Sequence, residues 1–222
     1  MLRPRKHITR REIKEDTLVT VYFKVRKFIQ KHSRYLNIGL LAIPVIVIVA
    51  VLMVRSKRNA EFNAAEQLSV AEQSYQTADY STSIDALAQI INGYPGTRAA
   101  GEAAFYLGNV YFLTEDYNQA EKYYQLYIND YTDHDLYSVS SMAGIAACYE
   151  NQGRFIDAAL QYEKAANRYD DLFYVPFYLK DTARCYALAG ENEKAKRVYQ
   201  TVLDQYPESN LQEEIEFILQ TL

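Results

Sequence analysis

Along residues 64–222, apolar side chains recur every three or four positions, in stretches separated by short polar turns. Because an α-helix has about 3.6 residues per turn, this spacing places the apolar side chains on one face of each helix. The pattern predicts four helical hairpins. Their first helices are predicted at residues 64–77, 101–114, 139–152 and 176–189, and their second helices at 81–93, 118–130, 156–169 and 193–205.

Three positions recur in every predicted hairpin. An Ala or Ser is followed four residues later by Tyr or Leu, and seven residues after that by Tyr, at a period of 37 or 38 residues. The four sets are Ser83, Leu87 and Tyr94; Ala120, Tyr124 and Tyr131; Ala158, Tyr162 and Tyr169; and Ala195, Tyr199 and Tyr206. Units of this length cannot bury their apolar faces alone, so neighbouring units stack. We therefore predict an all-α chain with an α-solenoid of about four hairpins.

The solenoid is predicted to occupy residues 64–209 and to be followed by a capping helix at 210–222. Leu211, Ile215 and Ile218 lie on one face of that last helix, which would cover the apolar end of the array. The four repeats are predicted at about residues 64–98, 101–135, 139–173 and 176–209.

An apolar run stands in front of the repeats. Residues 38–54 carry no charge, and with the three residues before them they form a helix of about 20 residues, enough to cross a hydrocarbon core of ~30 Å. We predict a transmembrane helix at 36–54 and a helical linker at 55–63. A buried soluble helix would rarely lack a polar face over this length. A cleaved signal peptide would carry small residues where Arg55 and Lys57 stand.

The flanking charges predict the orientation of the span. Residues 1–35 hold eleven Lys or Arg and three acidic residues. Short positive flanks stay in the cytoplasm, whereas a long domain after the span is exported. We expect a single-pass protein of the cytoplasmic membrane with the N-terminus inside and the repeats outside, in the periplasm if the source has two membranes.

Part of the basic tail is predicted to be an amphipathic helix. Its apolar residues recur at helical spacing from Ile13 to Ile29, and Lys and Arg side chains surround them. Such a helix could lie on the anionic headgroups of the membrane, or it could pair with itself or with a cytosolic protein.

The body of the chain is acidic. Residues 59–222 hold ten Lys or Arg against twenty-five Asp or Glu, although the net charge of the whole chain is only −4. A nucleic-acid groove needs clustered basic side chains, so we expect no nucleic-acid partner.

No catalytic or cofactor motif stands out in the sequence. The three His residues show no metal-ligand spacing, and there is no phosphate-binding Gly loop or nucleophile elbow. Cys148 and Cys185 share a register 37 residues apart, where Val110 stands in the repeat before, so we interpret both as small buried side chains. We predict no enzyme activity, no cofactor and no metal.

The repeats resemble the tetratricopeptide repeat family. Leu107-Gly108, Tyr111, Ala120 and Tyr124 fit its pattern, and Ile145-Ala146, Tyr149, Ala158 and Tyr162, with Tyr186, Ala195, Tyr199 and Pro207, fit in the following repeats. The chain has no Trp, and its period exceeds the family's length of about 34 residues. The longer loops resemble bacterial envelope members of the outer-membrane-assembly and Tol-Pal-associated type. The order of tail, span and exported array is similar to that of the YfgM-like ancillary proteins of the Sec translocon.

The resemblance implies that the first helices line a concave groove that binds a partner. By register the groove residues are Glu102, Phe105, Asn109, Phe112, Ser140, Ala143, Ala147, Glu150, Phe177, Lys180, Arg184 and Ala187. The three Phe residues would be apolar anchors, and Lys180 and Arg184 would be available for a partner's carboxylates. Two alternatives are that these residues only coat the surface between repeats, or that the convex side binds.

Together these features predict a non-enzymatic, membrane-anchored interaction scaffold of the cell envelope that binds a protein or peptide through its groove. A membrane-bound chaperone or translocon accessory would instead bind many extended chains weakly. An accessory subunit of an envelope or cell-wall enzyme complex would copurify with an enzyme.

Overall fold

The predicted all-α fold is confirmed. A computed structural model of the chain describes residues 10–132, 134–168 and 173–222, with the side chains of residues 10–16, 36 and 37 outside the description. Its helices are α1 (Arg10–Gln76), α2 (Tyr80–Gly93), α3 (Arg98–Leu113), α4 (Tyr117–Asp130), α5 (Asp135–Asn151), α6 (Phe155–Ala166), α7 (Val175–Leu188), α8 (Asn192–Gln205) and α9 (Gln212–Thr221). Tyr169, the third member of the Tyr column, lies outside the described residues.

Helix α1 contains the predicted span. The chain divides after Ser56 into two compact units, and the first unit holds the apolar residues 38–54 within α1. The helical stretch that begins at Ile38 is long and apolar enough to cross a membrane, and its most apolar window has no residue buried in protein. Pro44 lies inside this stretch, as bilayer helices tolerate. The backbone of His32 departs from helical geometry, so two helical segments meet there.

The second unit, residues 57–222, is a stack of helical hairpins. Helices α2 to α8 pack in chain order, each against the next, and α3 also contacts α5. The first hairpin pairs the last part of α1 with α2, because Ala64, Leu68 and Ala71 share a buried cluster with Leu87 and Ile90.

The turn inside each hairpin contains one residue in the left-handed region. These residues are Ala78, Glu115, Gly153 and Gly190, and their spacing repeats the period of 37 or 38 residues. The residue after each of them caps the second helix. In the first two hairpins that cap is Asp79 or Asp116, whose carboxylate accepts a hydrogen bond from a backbone N–H of the first turn.

The predicted helix bounds need two corrections. Helices α3 and α5 begin three to four residues earlier than predicted, and α3 does so because the Thr97 side chain accepts a hydrogen bond from the Ala100 N–H at 3.1 Å. Helix α6 ends at Ala166 rather than Tyr169. Apart from these ends, the predicted and observed hairpin helices agree to within two residues.

The small residue and the aromatic residue of each repeat lie in the core, as predicted. Ala120, Ala158 and Ala195 are fully buried, and Tyr124, Tyr162 and Tyr199 are nearly so. Cys148 and Cys185 are also fully buried. Tyr111 and Tyr149, which fit the family pattern, are only partly buried, and both pack against core clusters.

These two side chains stay near the surface because they find partners there. The ring of Tyr111 stacks on that of Tyr123, with centroids 5.5 Å apart. The hydroxyl of Tyr149 donates a hydrogen bond to Glu121 at 2.7 Å, and the guanidinium of Arg154 lies over its ring.

Helix α9 resembles the first helix of another repeat. Its buried Leu211 and Ile215 follow the buried Val175 and Leu179 of α7 by 36 residues, close to the repeat length. Together with partly buried Leu222 they pack into the same core cluster as α7 and α8. The predicted capping helix therefore exists and covers the apolar face of the fourth hairpin.

Candidate functional site

The predicted groove residues lie on three successive first helices, α3, α5 and α7, and each of them is partly exposed. None is fully buried in the core, and none points freely into solvent. Helices α3 and α5 contact each other directly. We call the surface formed by these residues and their neighbours on the first helices the first-helix surface.

Four aromatic side chains form a row across the first-helix surface. Tyr75 of α1 and Tyr106 of α3 have ring centroids 5.5 Å apart, and Phe105 lies 5.7 Å from Tyr106 and 4.9 Å from Tyr137 of α5. These separations suit tilted and edge-on aromatic contacts. All four side chains are half-buried, so one side of each remains accessible. We call these four residues the aromatic row.

Burial raises the pKa of two hydroxyls of the row, those of Tyr106 and Tyr75. Burial raises the pKa of Tyr106 above its ordinary value of 10.0, and hydrogen bonds to Tyr137 and Glu72 raise the pKa further. Burial also raises the pKa of Tyr75. Tyr75 and Tyr106 therefore stay neutral at neutral pH, and the Glu72 carboxylate lies beside Tyr106.

Asn109 and Phe112 are tied to the second helix of their own hairpin. The hydroxyl of Tyr124 donates a hydrogen bond of 2.7 Å to Oδ1 of Asn109. The ring of Phe112 packs edge-on against Tyr117, with centroids 5.6 Å apart. These contacts fix both side chains before any partner binds.

The two basic groove residues already have carboxylate partners. The guanidinium of Arg184 pairs with Glu150 of α5 and, at 3.0 Å, with Asp181 of its own helix. Nζ of Lys180 lies 3.1 Å from Glu214 of α9. The expectation that these cations are available for a partner's carboxylates needs correction, because each is neutralised by the chain itself.

Phe177, one of the predicted apolar anchors, lies on α7. Its ring contacts that of Phe173 at 5.8 Å between centroids, and the Phe173 side chain is 76% exposed. An aromatic side chain so exposed beside a half-buried one offers an apolar contact to another molecule.

Side-chain contacts join each first helix to the next. The Glu61 carboxylate of α1 accepts hydrogen bonds from the backbone N–H of Arg98, at the start of α3. The aromatic row joins α3 to α5, the Glu150–Arg184 pair joins α5 to α7, and the Lys180–Glu214 pair joins α7 to α9. The first-helix surface is therefore continuous through the described part of the solenoid.

Three members of the aromatic row were not predicted from the sequence: Tyr75, Tyr106 and Tyr137. Tyr75 stands 37 residues before Phe112, so extending the groove register into the first hairpin would have identified it. Tyr106 and Tyr137 lie outside the four groove columns, and only the packing of α3 on α5 reveals them.

The described residues offer little for metal or thiol chemistry. No group of three His, Cys, Asp or Glu side chains among them is placed to hold a metal ion. Burial raises the pKa of both Cys148 and Cys185 to about 12, so the thiols are protonated at neutral pH. Buried neutral thiols are neither nucleophiles nor metal ligands.

The stacked hairpins define a helical-repeat protein. Comparison with protein families indicates which kind of repeat the hairpins resemble. The family model of the tetratricopeptide repeat matches residues 102–134 and 181–209. These segments cover most of the second and of the fourth helical hairpin. Two segments of the chain therefore match the tetratricopeptide repeat, in line with the resemblance. Proteins with this fold generally mediate protein–protein interactions and are typically non-enzymatic.

Two solved structures share the fold. Two crystal structures of a putative kinesin light chain of Podosopora anserina with nearly identical TPR-like repeats, one of them of a point variant, are 13% identical to this chain, each with a TM-score of 0.53. The alignments cover 67% and 66% of this chain and 76% of each of those chains. The MamA protein is 13% identical over 65% of this chain and 92% of its own, with a TM-score of 0.42. No curated protein matches the chain significantly.

Proposed function

We propose that the protein is a membrane-anchored scaffold of the cell envelope that binds a polypeptide partner on its first-helix surface. The observation that carries the proposal is the aromatic row, in which four neighbouring rings from three helices remain half-exposed. Rings held by mutual packing lose little conformational entropy when a partner covers them, which favours binding.

The anchor in this proposal is the helix through residues 38–54. Its length, its lack of charge and its exposed side chains support a membrane span. The eleven basic residues before it favour an N-terminus in the cytoplasm and a repeat unit outside. The protein would then present its repeats beside the outer face of the cytoplasmic membrane.

Charge on the first-helix surface favours a partner with basic and apolar side chains. Glu150 and Asp181 share the single guanidinium of Arg184, and the Glu72 carboxylate lies next to the aromatic row. The repeat body as a whole carries a large excess of acidic residues. A segment with Lys or Arg beside aromatic or aliphatic residues would complement both features.

Photo-crosslinking in native membranes tests the proposal. A benzophenone amino acid would replace Phe177 on the first-helix surface, or Phe173 in the turn beside it. Matched controls would carry it at Gln125 or Gln200, both exposed on second helices. We expect a discrete crosslinked product from the two Phe positions and little or none from the Gln positions.

The crosslinked products also distinguish the functions that sequence analysis left open. One dominant protein supports the scaffold, a broad smear of exported chains supports a chaperone, and an envelope enzyme supports an accessory subunit. Crosslinks from Gln125 and Gln200 that equal those from the Phe positions would refute the first-helix surface as the binding site.

A further inference from the structure

The segment of α1 before His32 presents an apolar stripe with no cover. Leu18, Tyr22, Val25 and Ile29 recur every three or four residues, and their exposed fractions are 67%, 61%, 51% and 49%. At this spacing they lie on one face of the helix. A soluble helix normally buries such a face, so this stripe needs a partner outside the segment.

The rest of the helix surface carries four basic side chains, among exposed apolar ones such as Val19 and Phe23. Lys24, Arg26, Lys27 and Lys31 lie outside the stripe, and no Asp or Glu occurs between Thr17 and Asn37. No acidic neighbour in this segment offsets these charges. A partner that covers the stripe must therefore also accept several positive charges along its edges, as an anionic bilayer surface does.

The backbone changes direction where such a helix would have to leave the membrane surface. At His32 the backbone angles are φ −111° and ψ 15°, which are not helical. Nδ1 of its ring lies 3.1 Å from the carbonyl oxygen of Phe28, in the last turn before this break. The break separates the basic segment from the apolar span that starts at Ile38. A helix that lies along the surface and a helix that crosses the bilayer could therefore be joined here.

We propose that residues 17–31 bind the surface of a bilayer that contains anionic lipid. The apolar stripe enters the boundary between headgroups and acyl chains, and the Lys and Arg side chains reach the lipid phosphates on either side. A membrane, rather than a protein, is the occupant that fits best, because the stripe is continuous in the chain with the span. The proposal rests on membrane anchoring by residues 38–54, which is tested separately below.

A pair of fluorescent probes tests whether the helix lies on the surface. The background is a full-length chain with Cys148→Val and Cys185→Val. Two separate variants, Leu18→Cys and Thr20→Cys, would each carry an environment-sensitive dye on the single new Cys. The two positions are close along the helix but on opposite faces. Leu18 is also the farther of the two from the span, so a helix projecting straight out of the membrane would expose Leu18 more than Thr20.

We expect the opposite order in vesicles with about 30% phosphatidylglycerol in phosphatidylcholine. There the probe at Leu18→Cys should be quenched several-fold less by aqueous iodide than the probe at Thr20→Cys. The difference in quenching between the two probes should be smaller in pure phosphatidylcholine vesicles and at high salt. The triple variant Lys24→Gln, Lys27→Gln and Lys31→Gln should reduce it, whereas Lys122→Gln and Lys164→Gln in the repeat body should not.

Three results would overturn the proposal. Equal quenching of both probes in anionic vesicles would place the segment in water. Protection of the Leu18→Cys probe from iodide that is the same in anionic and neutral vesicles, or that rises with the protein-to-lipid ratio, would show that the stripe contacts another protein helix. Alkaline carbonate extraction of the same vesicles measures anchoring itself: a chain released by carbonate contradicts the span, whereas a retained chain with equal quenching contradicts only this inference.

Discussion

The ring of Tyr124 fills the space where Gly144 would carry a side chain. A Cβ built on Gly144 of α5 would stand 2.6 Å from Cε2 of Tyr124 in α4, and one built on Gly108 of α3 would stand 2.7 Å from the other edge of the same ring. The aromatic side chain is thus held between two glycines on successive first helices. Close approach of three helices in the middle of the solenoid depends on this arrangement.

Replacing Gly144 by Ala should destabilise the repeat unit. The new methyl group would overlap a ring that is only 3% exposed, so we expect a loss of about 1–3 kcal/mol in the free energy of unfolding. Denaturant unfolding of the detergent-solubilised protein, followed by circular dichroism, measures the loss. Gly93→Ala is the matched control, because nothing lies within 4 Å of a Cβ there, and it should be neutral or stabilising. Equal stability of the Gly144→Ala variant and the wild type would contradict the packing described.

The left-handed turn residues predict effects of opposite sign. Ala78 and Glu115 have φ of 58° and 63°, which strains a residue with a Cβ, whereas Gly153 and Gly190 occupy the same position without strain. Ala78→Gly and Glu115→Gly should therefore raise stability by roughly 0.5–1 kcal/mol, and Gly153→Ala and Gly190→Ala should lower it by about 1 kcal/mol. Thermal unfolding of the four single variants provides the comparison. If all four variants shift the midpoint in the same direction, the turn geometry is wrong.

The Glu61 contact predicts that the part of α1 around residue 61 stabilises the repeats. Its carboxylate accepts hydrogen bonds from the first N–H groups of α3 and lies at the positive end of that helix. Glu61→Gln should reduce the free energy of unfolding by about 1 kcal/mol. Glu66→Gln removes the same charge from an exposed position of the same helix and should change little. Proteolysis within residues 57–63 should likewise lower the stability of α3, although that segment was predicted to be only a linker.

The buried thiols predict a loss of stability in alkali. Burial raises the pKa of Cys148 and Cys185 from 9.0 to about 12, so the folded protein favours the protonated thiols. The free energy of unfolding should therefore be unaffected by ionisation of the thiols below pH 9 and should fall as the pH rises toward 12, because only the unfolded thiols ionise in this range. The expected slope is up to about 1.4 kcal/mol per thiol for each pH unit. Denaturation midpoints between about pH 8 and about pH 11 measure the slope.

Val110 supplies the control for these thiols, because it is fully buried at the same position of the second repeat. The Cys148→Val and Cys185→Val double variant should fold and show a shallower alkaline slope. A thiol reagent at about pH 8 should react with the wild type only after denaturant is added. Rapid labelling of the native protein would show that the thiols are accessible.

Most of the fold could be predicted from the sequence because the same physical requirement recurs in each repeat. A helix pair of fixed length needs a small residue at its closest contact and a large one beside it, so Ala120 and Tyr124 reappear as Ala158 and Tyr162. Tyr127 shows what was overlooked. It is fully buried and stands in a column with Ile90, Ala165 and Val202, which are also fully buried. Tyr127 therefore occupies a core position that is aliphatic in the other three repeats. Aligning the repeats at this column would have identified it.

The details of the first-helix surface were harder to predict. Glu150 and Arg184 are 34 residues apart, less than one full repeat, so their pairing depends on the stagger between successive helices. Register alone places residues in columns and does not reveal such diagonal contacts. For the same reason Lys180 was predicted to be available, although Glu214 of the last helix reaches it. The partner-binding role of these positions stays a prediction.

Helix α9 makes the array modular in length. Because it reproduces the buried side of a first helix, it can follow any hairpin of this type. An extra hairpin inserted between α8 and α9 would lengthen the interaction surface by one unit. Leu211 and Ile215 would then pack against the new hairpin as they now pack against the fourth.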